Sequence, residues 1–279
     1  MQGRTGRDPA VSDLPLIHNR IHDTHPSLVH APGKLDESPW WDRVKQEIFR
    51  TPRVSRANDS LAVITWNSGS PNPTLSVRGH TLGWFERSLD HFAVSYTVLG
   101  GGIGSAWTNR LKLDLTLEFL GTTTADFVLG GDSSDVLLVR DPGAALAEFR
   151  RQDAGVLFNA ERNPWPKQLA DVKAFERRVA LAPFHHLNSG LWIGRRDALI
   201  RAFTAARRWA DRVEGDGWPA SDQACWKLAY RELYPSVQVD DRCRIFQALN
   251  GVRREITVGG RTWPRFNWLF RRAGRGTPV

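Results

Sequence analysis

Between Leu61 and Asp240 short apolar runs alternate with stretches of helical periodicity, and this alternation constrains the fold more than any other feature. Leu61-Ala-Val-Ile-Thr-Trp66 reads as a buried strand closed by the loop signal Asn67-Ser-Gly-Ser-Pro-Asn-Pro73. Residues 80–92 follow a helical pattern, with Leu82, Phe85, Leu89 and Phe92 on one face. Residues 93–99 read as a strand running into Gly100-Gly-Gly-Ile-Gly104, and residues 107–120 as a longer helix. Further strands are expected at 127–129, 136–138, 155–159, 191–194 and 237–240, with helices at 144–149, 197–210 and 221–233. Strands separated by helices cannot pair through tight hairpins. The expected architecture is therefore α/β, a mostly parallel central sheet flanked by helices in a single domain with flexible termini.

Chemistry concentrates at Asp132-Ser-Ser-Asp135, where the run Phe127-Val-Leu129 breaks at Gly130-Gly131. The two glycines are expected to permit a sharp turn at the strand's carboxyl end. Two carboxylates so close repel, which raises one pKa, and a divalent cation removes the penalty. Hard oxygen ligands suit Mn²⁺ or Mg²⁺. In open α/β sheets ligands sit beyond the carboxyl ends of strands, so the position suits a metal–diphosphate site. A solvated turn in which Asp132 caps the next segment is the other reading of the same residues.

Several classes lose support. No apolar run approaches the ~18 residues of a membrane span. Met1-Gln-Gly-Arg-Thr-Gly-Arg-Asp-Pro9 has no apolar stretch of the secretory kind. Cys225 and Cys243 are the only cysteines, which excludes a disulfide framework and a CxxC metal site, and a cytoplasmic location is expected. The glycine run at 100–104 lacks the spacing of a dinucleotide fingerprint, and there is neither a P-loop lysine nor a GxSxG elbow. The net charge of +8 is heaviest near the end, at Arg253, Arg254, Arg261, Arg265, Arg271, Arg272 and Arg275. No helix-turn-helix, RNP or zinc pattern accompanies these arginines, so nucleic acid is not the expected partner.

Residues 1–57 are rich in Pro, His, Asp and Arg and are expected to form a largely irregular extension. Within it a short helix is expected at 40–49, with Pro39 at its start and Trp41, Val44 and Ile48 on one face. His18, His22, His25 and His30 lie among prolines without regular pairing and read as solvated histidines. Residues 58–257 would form the folded domain and 258–279 a basic tail.

Read together, the segments become specific. Leu61–Trp66, the glycine run, Asp132-Ser-Ser-Asp135-Val136, Asn163-Pro-Trp-Pro166, Leu187-Asn-Ser-Gly190, Ser221-Asp-Gln223 and Asp241-Arg-Cys-Arg-Ile-Phe-Gln-Ala-Leu-Asn-Gly251 stand in the order of one family. Over about residues 60–252 the chain resembles the glycosyltransferase domain of the procollagen lysyl hydroxylases and its microbial relatives. The resemblance implies a GT-A fold, a Rossmann-like sheet holding a UDP-sugar, with Mn²⁺ (or Mg²⁺) between the diphosphate and the acidic motif. A departing nucleoside diphosphate gains negative charge, which a Lewis-acidic cation stabilises.

On this resemblance Asp132 and Asp135 are the metal ligands, and Thr65, Trp66 and Asn67 lie where the family holds the nucleotide. Trp66 would stack on the uracil, or else sit at the rim of the core. Asn188 and Ser189 would hold sugar hydroxyls or serve as turn residues. Asp222 and Gln223 would position the transferred sugar, with a helix cap as the other role for Asp222. Trp165 would wall the donor pocket or anchor its loop. The implied activity is transfer of a hexose from a UDP-sugar to an unknown hydroxyl acceptor. No hydroxylase iron site is resembled.

One departure bears on the metal. Relatives commonly carry His-Gly-Asn-Gly near the domain's end, and its histidine is the third ligand. Here no histidine follows His186. His185 or His186, or Asp240 or Asp241, are the candidates to replace it. Without a substitute, the alternative is a catalytically degenerate relative that binds nucleotide-sugar.

Overall fold

The computed structural model describes residues 16–33, 39–50, 60–69, 82–215, 221–252 and 254–262. Twelve strands and seven α-helices succeed one another within them. They are β1 (Ile17–Asn19), β2 (Leu28–His30), α1 (Pro39–Phe49), β3 (Leu61–Trp66), α2 (Trp84–His91), β4 (Thr97–Leu99) and α3 (Leu111–Thr122). Next come β5 (Phe127–Asp132), β6 (Val136–Leu138), α4 (Pro142–Phe149), β7 (Val156–Glu161), α5 (Ala170–Val179) and β8 (His186–Arg195). The chain continues through α6 (Arg196–Gly215), α7 (Asp222–Leu233), β9 (Val237–Val239), β10 (Phe246–Ala248), β11 (Ile256–Val258) and β12 (Arg261–Thr262).

The central sheet has the order β4-β3-β5-β8-β7-β9. β3 runs parallel to β4 and β5, and β9 parallel to β7, while β8 is antiparallel to both of its neighbours. The sheet is thus mostly parallel, in a mixed α/β fold of the Rossmann-like GT-A kind. The reversed direction of β8 is not visible in its sequence, because an apolar run says nothing about which way a strand points. Its consequence is positional. Glu161, at the end of β7, pairs with His186, at the start of β8, so both strands place functional residues at one edge.

Gly130 and Gly131 do not make the turn expected of them. β5 runs through both and ends at Asp132, and the turn is Ser133-Ser134-Asp135. Their role is to admit large neighbours on opposite faces. A Cβ on Gly130 would run into the Trp192 ring, and one on Gly131 would lie 2.7 Å from Phe85 Cε1. Trp192 continues into an aromatic stack, 5.2 Å from Phe203, which lies 4.6 Å from Trp226, itself 4.7 Å from Phe158. This stack ties β7 and β8 to α6 and α7, while Phe85 brings α2 to the opposite face.

Within the stretch expected to be irregular, β2 is buried between β10, to which it is parallel, and β6, to which it is antiparallel. β1 pairs with β11, and Leu16, Ile17, Leu28, Val29 and Ala31 join the main core. The helix expected at 40–49 is present as α1, with Trp41, Val44 and Ile48 all buried. Cys225 and Cys243 are buried and form no disulfide. Among the described residues no helix is long and apolar enough to cross a membrane. Arg253 and the arginines from Arg265 to Arg275 lie outside the described residues.

Candidate active site

The turn after β5 is clamped by α2. Phe85 N–H donates to the Ser133 carbonyl at 2.9 Å, and Ser133 Oγ donates to both oxygens of the buried Glu86, at 2.7 and 2.8 Å. Glu86 also accepts from Asn67 Nδ2 at 2.8 Å, so the end of β3 and the acidic turn share one carboxylate. With its serine fixed, the turn presents Asp132 and Asp135 together.

A third group joins them. His30 Nε2 lies 3.3 Å from Asp135 Oδ2, and one ligand atom each from His30, Asp132 and Asp135 falls within 4.8 Å of the others. β2 delivers this histidine directly: His30 pairs with Val136, and Ala31 N–H donates to the Asp135 carbonyl at 2.8 Å. The reading of His30 as solvated is therefore corrected. It is 2% exposed and sits at the acidic turn. A three-residue strand is too short for periodicity to reveal, and its burial depends on β10, more than 200 residues away.

The proposed substitutes are engaged elsewhere. His186 Nδ1 pairs with Glu176 Oε2 at 2.6 Å, and Glu176 Oε1 accepts from Lys227 Nζ at 2.7 Å and from Leu187 N–H at 2.9 Å. Burial and the neighbouring His186 push the His185 pKa down to about 4. Asp240 accepts the N–H groups of Arg244, Ile245 and Phe246, and Asp241 accepts that of Leu181. None of the four belongs to the cluster at the acidic turn.

The chemistry of the cluster fits a divalent cation on three counts. It offers two carboxylates and an imidazole, a set suited to Mn²⁺ or a similar ion. Asp135 Oδ1 is buried with no hydrogen-bond partner among the described residues. Gly190 leaves open the space where a Cβ would lie 2.9 Å from His30 Nε2 and 3.0 Å from Asp132 Oδ2.

Lys112 Nζ donates to Asp132 Oδ1 at 2.6 Å, leaving Oδ2 to face Gly190. Burial pulls the Lys112 pKa down, but Asp132 and Asp222 outweigh it, and the amine is held well above its ordinary value. Burial raises Asp132, Lys112 opposes it, and repulsion from Asp135 and Asp222 helps to leave it above the usual carboxylate range. Burial would likewise lower His30, yet Asp135, with Asp132 and Glu161 beyond it, lifts it. The Lys112 and His30 shifts report the negative charge of the surrounding carboxylates, whereas that of Asp132 is led by burial.

The remaining sequence-derived residues fall around this cluster. Asn188 and Ser189 are buried on β8, where Asn188 Oδ1 accepts the Gly190 N–H at 2.9 Å. Gln223 Oε1 accepts the Ser189 N–H at 3.3 Å, while its Nε2 donates to Glu161 Oε1 at 3.0 Å and to the Trp165 carbonyl at 2.9 Å. Asp222 opens α7 behind Ser221, whose Oγ takes the capping role by accepting from Ala224 N–H. Thr65 is fully buried, with Oγ1 lacking a partner among the described residues. Trp66 is 5% exposed, donates Nε1–H to Thr116 Oγ1 at 3.1 Å and packs 6.0 Å from Trp192, which leaves little ring face for a base. Trp165 is 48% exposed.

A Rossmann-like sheet with an acidic turn and a histidine at its carboxyl edge has the layout of a GT-A fold. The family model described as the PLOD GT domain matches residues 77–263, and the chain belongs to that family. The chain is 27% identical over 191 residues to procollagen-lysine,2-oxoglutarate 5-dioxygenase 2 of Mus musculus. It is also 27% identical over 199 residues to the multifunctional procollagen lysine hydroxylase and glycosyltransferase LH3 of Homo sapiens. Each alignment covers 62% of this chain and 24% of the relative, so the chain spans about a quarter of the length of these relatives. His30 lies outside the matched residues.

Proposed function

We propose that this protein transfers a hexose from a UDP-sugar to a hydroxyl acceptor, with Mn²⁺ (or Mg²⁺) held by His30, Asp132 and Asp135. The observation that carries the reading is the convergence of these three groups on the space kept open by Gly190, in a domain of the PLOD GT family. A divalent cation bound there supplies positive charge against the diphosphate as it departs.

The chain's own residues do the rest. The Glu86–Ser133 clamp fixes the two aspartates before any ligand arrives, so no reorganisation is needed during reaction. Lys112 holds Asp132 in one orientation, directing its second oxygen towards His30 and Gly190. Asn188 and Gln223 brace the Ser189–Gly190 backbone that borders the site. His30 offers a third group where no histidine follows near the domain's end, and this supports the active reading over that of a catalytically degenerate relative. Two buried cysteines without a disulfide suit a reducing compartment such as the cytoplasm.

The test is UDP release from a panel of UDP-hexoses with Mn²⁺, alongside calorimetric titration of Mn²⁺ and UDP. Asp132→Asn, Asp135→Asn and His30→Gln are each expected to weaken Mn²⁺ binding and to lower UDP release by at least about 100-fold. Wild-type activity in all three variants would refute the assignment.

A further inference from the structure

Five glutamate and aspartate side chains among the described residues are buried, and apart from Asp222, at the start of α7, they invite comparison: Glu86, Glu161, Glu176 and Asp240. Three of them use both oxygens within the protein. Glu86 accepts from Ser133 at each oxygen, Glu176 accepts from Lys227 and Leu187 at one and His186 at the other, and Asp240 accepts from three backbone N–H groups through both. Glu161, 3% exposed, uses only one. Its Oε1 accepts from Asn188 Nδ2 at 3.2 Å and from Gln223 Nε2 at 3.0 Å. Its Oε2 has no hydrogen bond to the described residues, and it is not among the atoms sealed from solvent without a partner.

The position of that open oxygen is informative. Asn159 and Glu161 are two residues apart on β7 and so project to the same face. Asn159 Nδ2 lies 3.2 Å from His30 Nδ1, which places Glu161 about 7 Å further along the same rim from the metal cluster. On its other side, Gln223 Nε2 bonds both Glu161 and the carbonyl of the half-exposed Trp165. Asn188, expected to hold sugar hydroxyls, and Gln223, expected to position the transferred sugar, thus both donate to one carboxylate and hold it still. A carboxylate with one oxygen clamped by neutral amides presents the lone pairs of the other in a fixed direction. Its natural partner is an O–H donor, and a sugar ring carries several.

We propose that Glu161 Oε2 accepts a hydrogen bond from a hydroxyl of the transferred hexose, and that this contact selects among hexose epimers. The proposal rests on the glycosyltransferase reading above. Asn188 and Gln223 act through Glu161 as positioning residues, and Glu161 is the group that touches substrate.

The experiment compares wild type, Glu161→Gln and Glu161→Asp for Mn²⁺-dependent UDP release from UDP-glucose, UDP-galactose and UDP-N-acetylglucosamine. Calorimetry of Mn²⁺ and of UDP is run on the same samples. Loss of a hydrogen bond to a charged acceptor lowers kcat/KM for the preferred donor by about 10- to 100-fold. The ratio between that donor and its epimer shrinks, while Mn²⁺ and UDP affinities stay within about twofold. Glu161→Asp keeps the charge but withdraws it, and the same loss of discrimination is expected in a folded protein. Unchanged kcat/KM and donor ratio in both variants, with Mn²⁺ and UDP still bound, overturns the proposal. Collapse of the fold in both variants, or loss of UDP binding equal to the loss of rate, assigns Glu161 a structural role and overturns it as well. Failure of wild type to bind Mn²⁺ or to release UDP from any donor refutes the glycosyltransferase reading itself.

Discussion

Gly190 carries a sharp prediction because its missing side chain is what keeps the site open. A methyl group there would lie within about 3 Å of both His30 Nε2 and Asp132 Oδ2. Gly190 has no left-handed backbone to protect, so Gly190→Ala is expected to fold. Its Mn²⁺ affinity is expected to fall by at least about tenfold, as for lost support of a metal ligand. Because the methyl would run into Cε1 of the buried His30, the metal-free midpoint falls too, by an overpacking cost of about 1–3 kcal/mol. Titration calorimetry paired with a melt separates the two effects. At this scale the closeness of Asp132 and Asp135 was legible from their spacing, which left a solvated turn open as the other reading. Glu161 and Lys112 were not, because nothing in Phe158-Asn-Ala-Glu161 or Arg110-Leu-Lys112 distinguishes a charge at the site from one in solvent. Gly130 and Gly131 were legible as special positions but for the wrong reason: they yield to Trp192 and Phe85 rather than bend the chain.

Elements with long periodic or β-branched runs were readable, and β3, α2, α3, β7, α6 and α7 lie close to where the pattern puts them. The short strands β1, β2, β10, β11 and β12 were missed because their existence depends on partners remote in sequence. β2 matters most. The resemblance places a metal-binding histidine near the end of the domain, whereas here the imidazole arrives from the beginning and reaches the acidic turn beside β10. The ends of the described fold are close, since Gly259 N–H donates to the Leu16 carbonyl at 2.9 Å. A circular permutant is the direct check. Residues 16–33 would follow residue 262 through a glycine-serine linker of about eight residues, reaching ~15 Å, with new termini in the 34–38 stretch. It is expected to fold and to bind Mn²⁺ as the parent does, and loss of binding in a folded permutant would show that the chain order itself matters.

Across the whole molecule, the Glu176 network joins α5, α7 and β8 behind the site. Burial would raise the Glu176 pKa, but hydrogen bonds from His186, Lys227 and Leu187 prevail and hold it below its ordinary 4.5. A carboxylate depressed on folding stabilises the native state fully above its unfolded pKa, and that contribution is lost as pH falls through the folded value. Urea midpoints of wild type are therefore expected to drop below about pH 4.5. In Glu176→Gln the midpoint should already be lower at pH 7 and less steep in acid, which isolates this group from other carboxylates. The general α/β layout was legible from alternation alone. The direction of β8 and the seat of this network were not, because both are set by three-dimensional packing that one-dimensional patterns do not encode.

The burial of β2 between β6 and β10 also has a consequence in time. As the polypeptide leaves the ribosome, His30 is made early, and β6 follows within about a hundred residues, yet β10 is complete only at Ala248. Until then the strand bearing the imidazole has one neighbour instead of two. On the metal-dependent reading, a nascent chain stopped before Phe246 would carry His30, Asp132 and Asp135 with β2 held by β6 alone, so that full burial of the imidazole is a late event of synthesis.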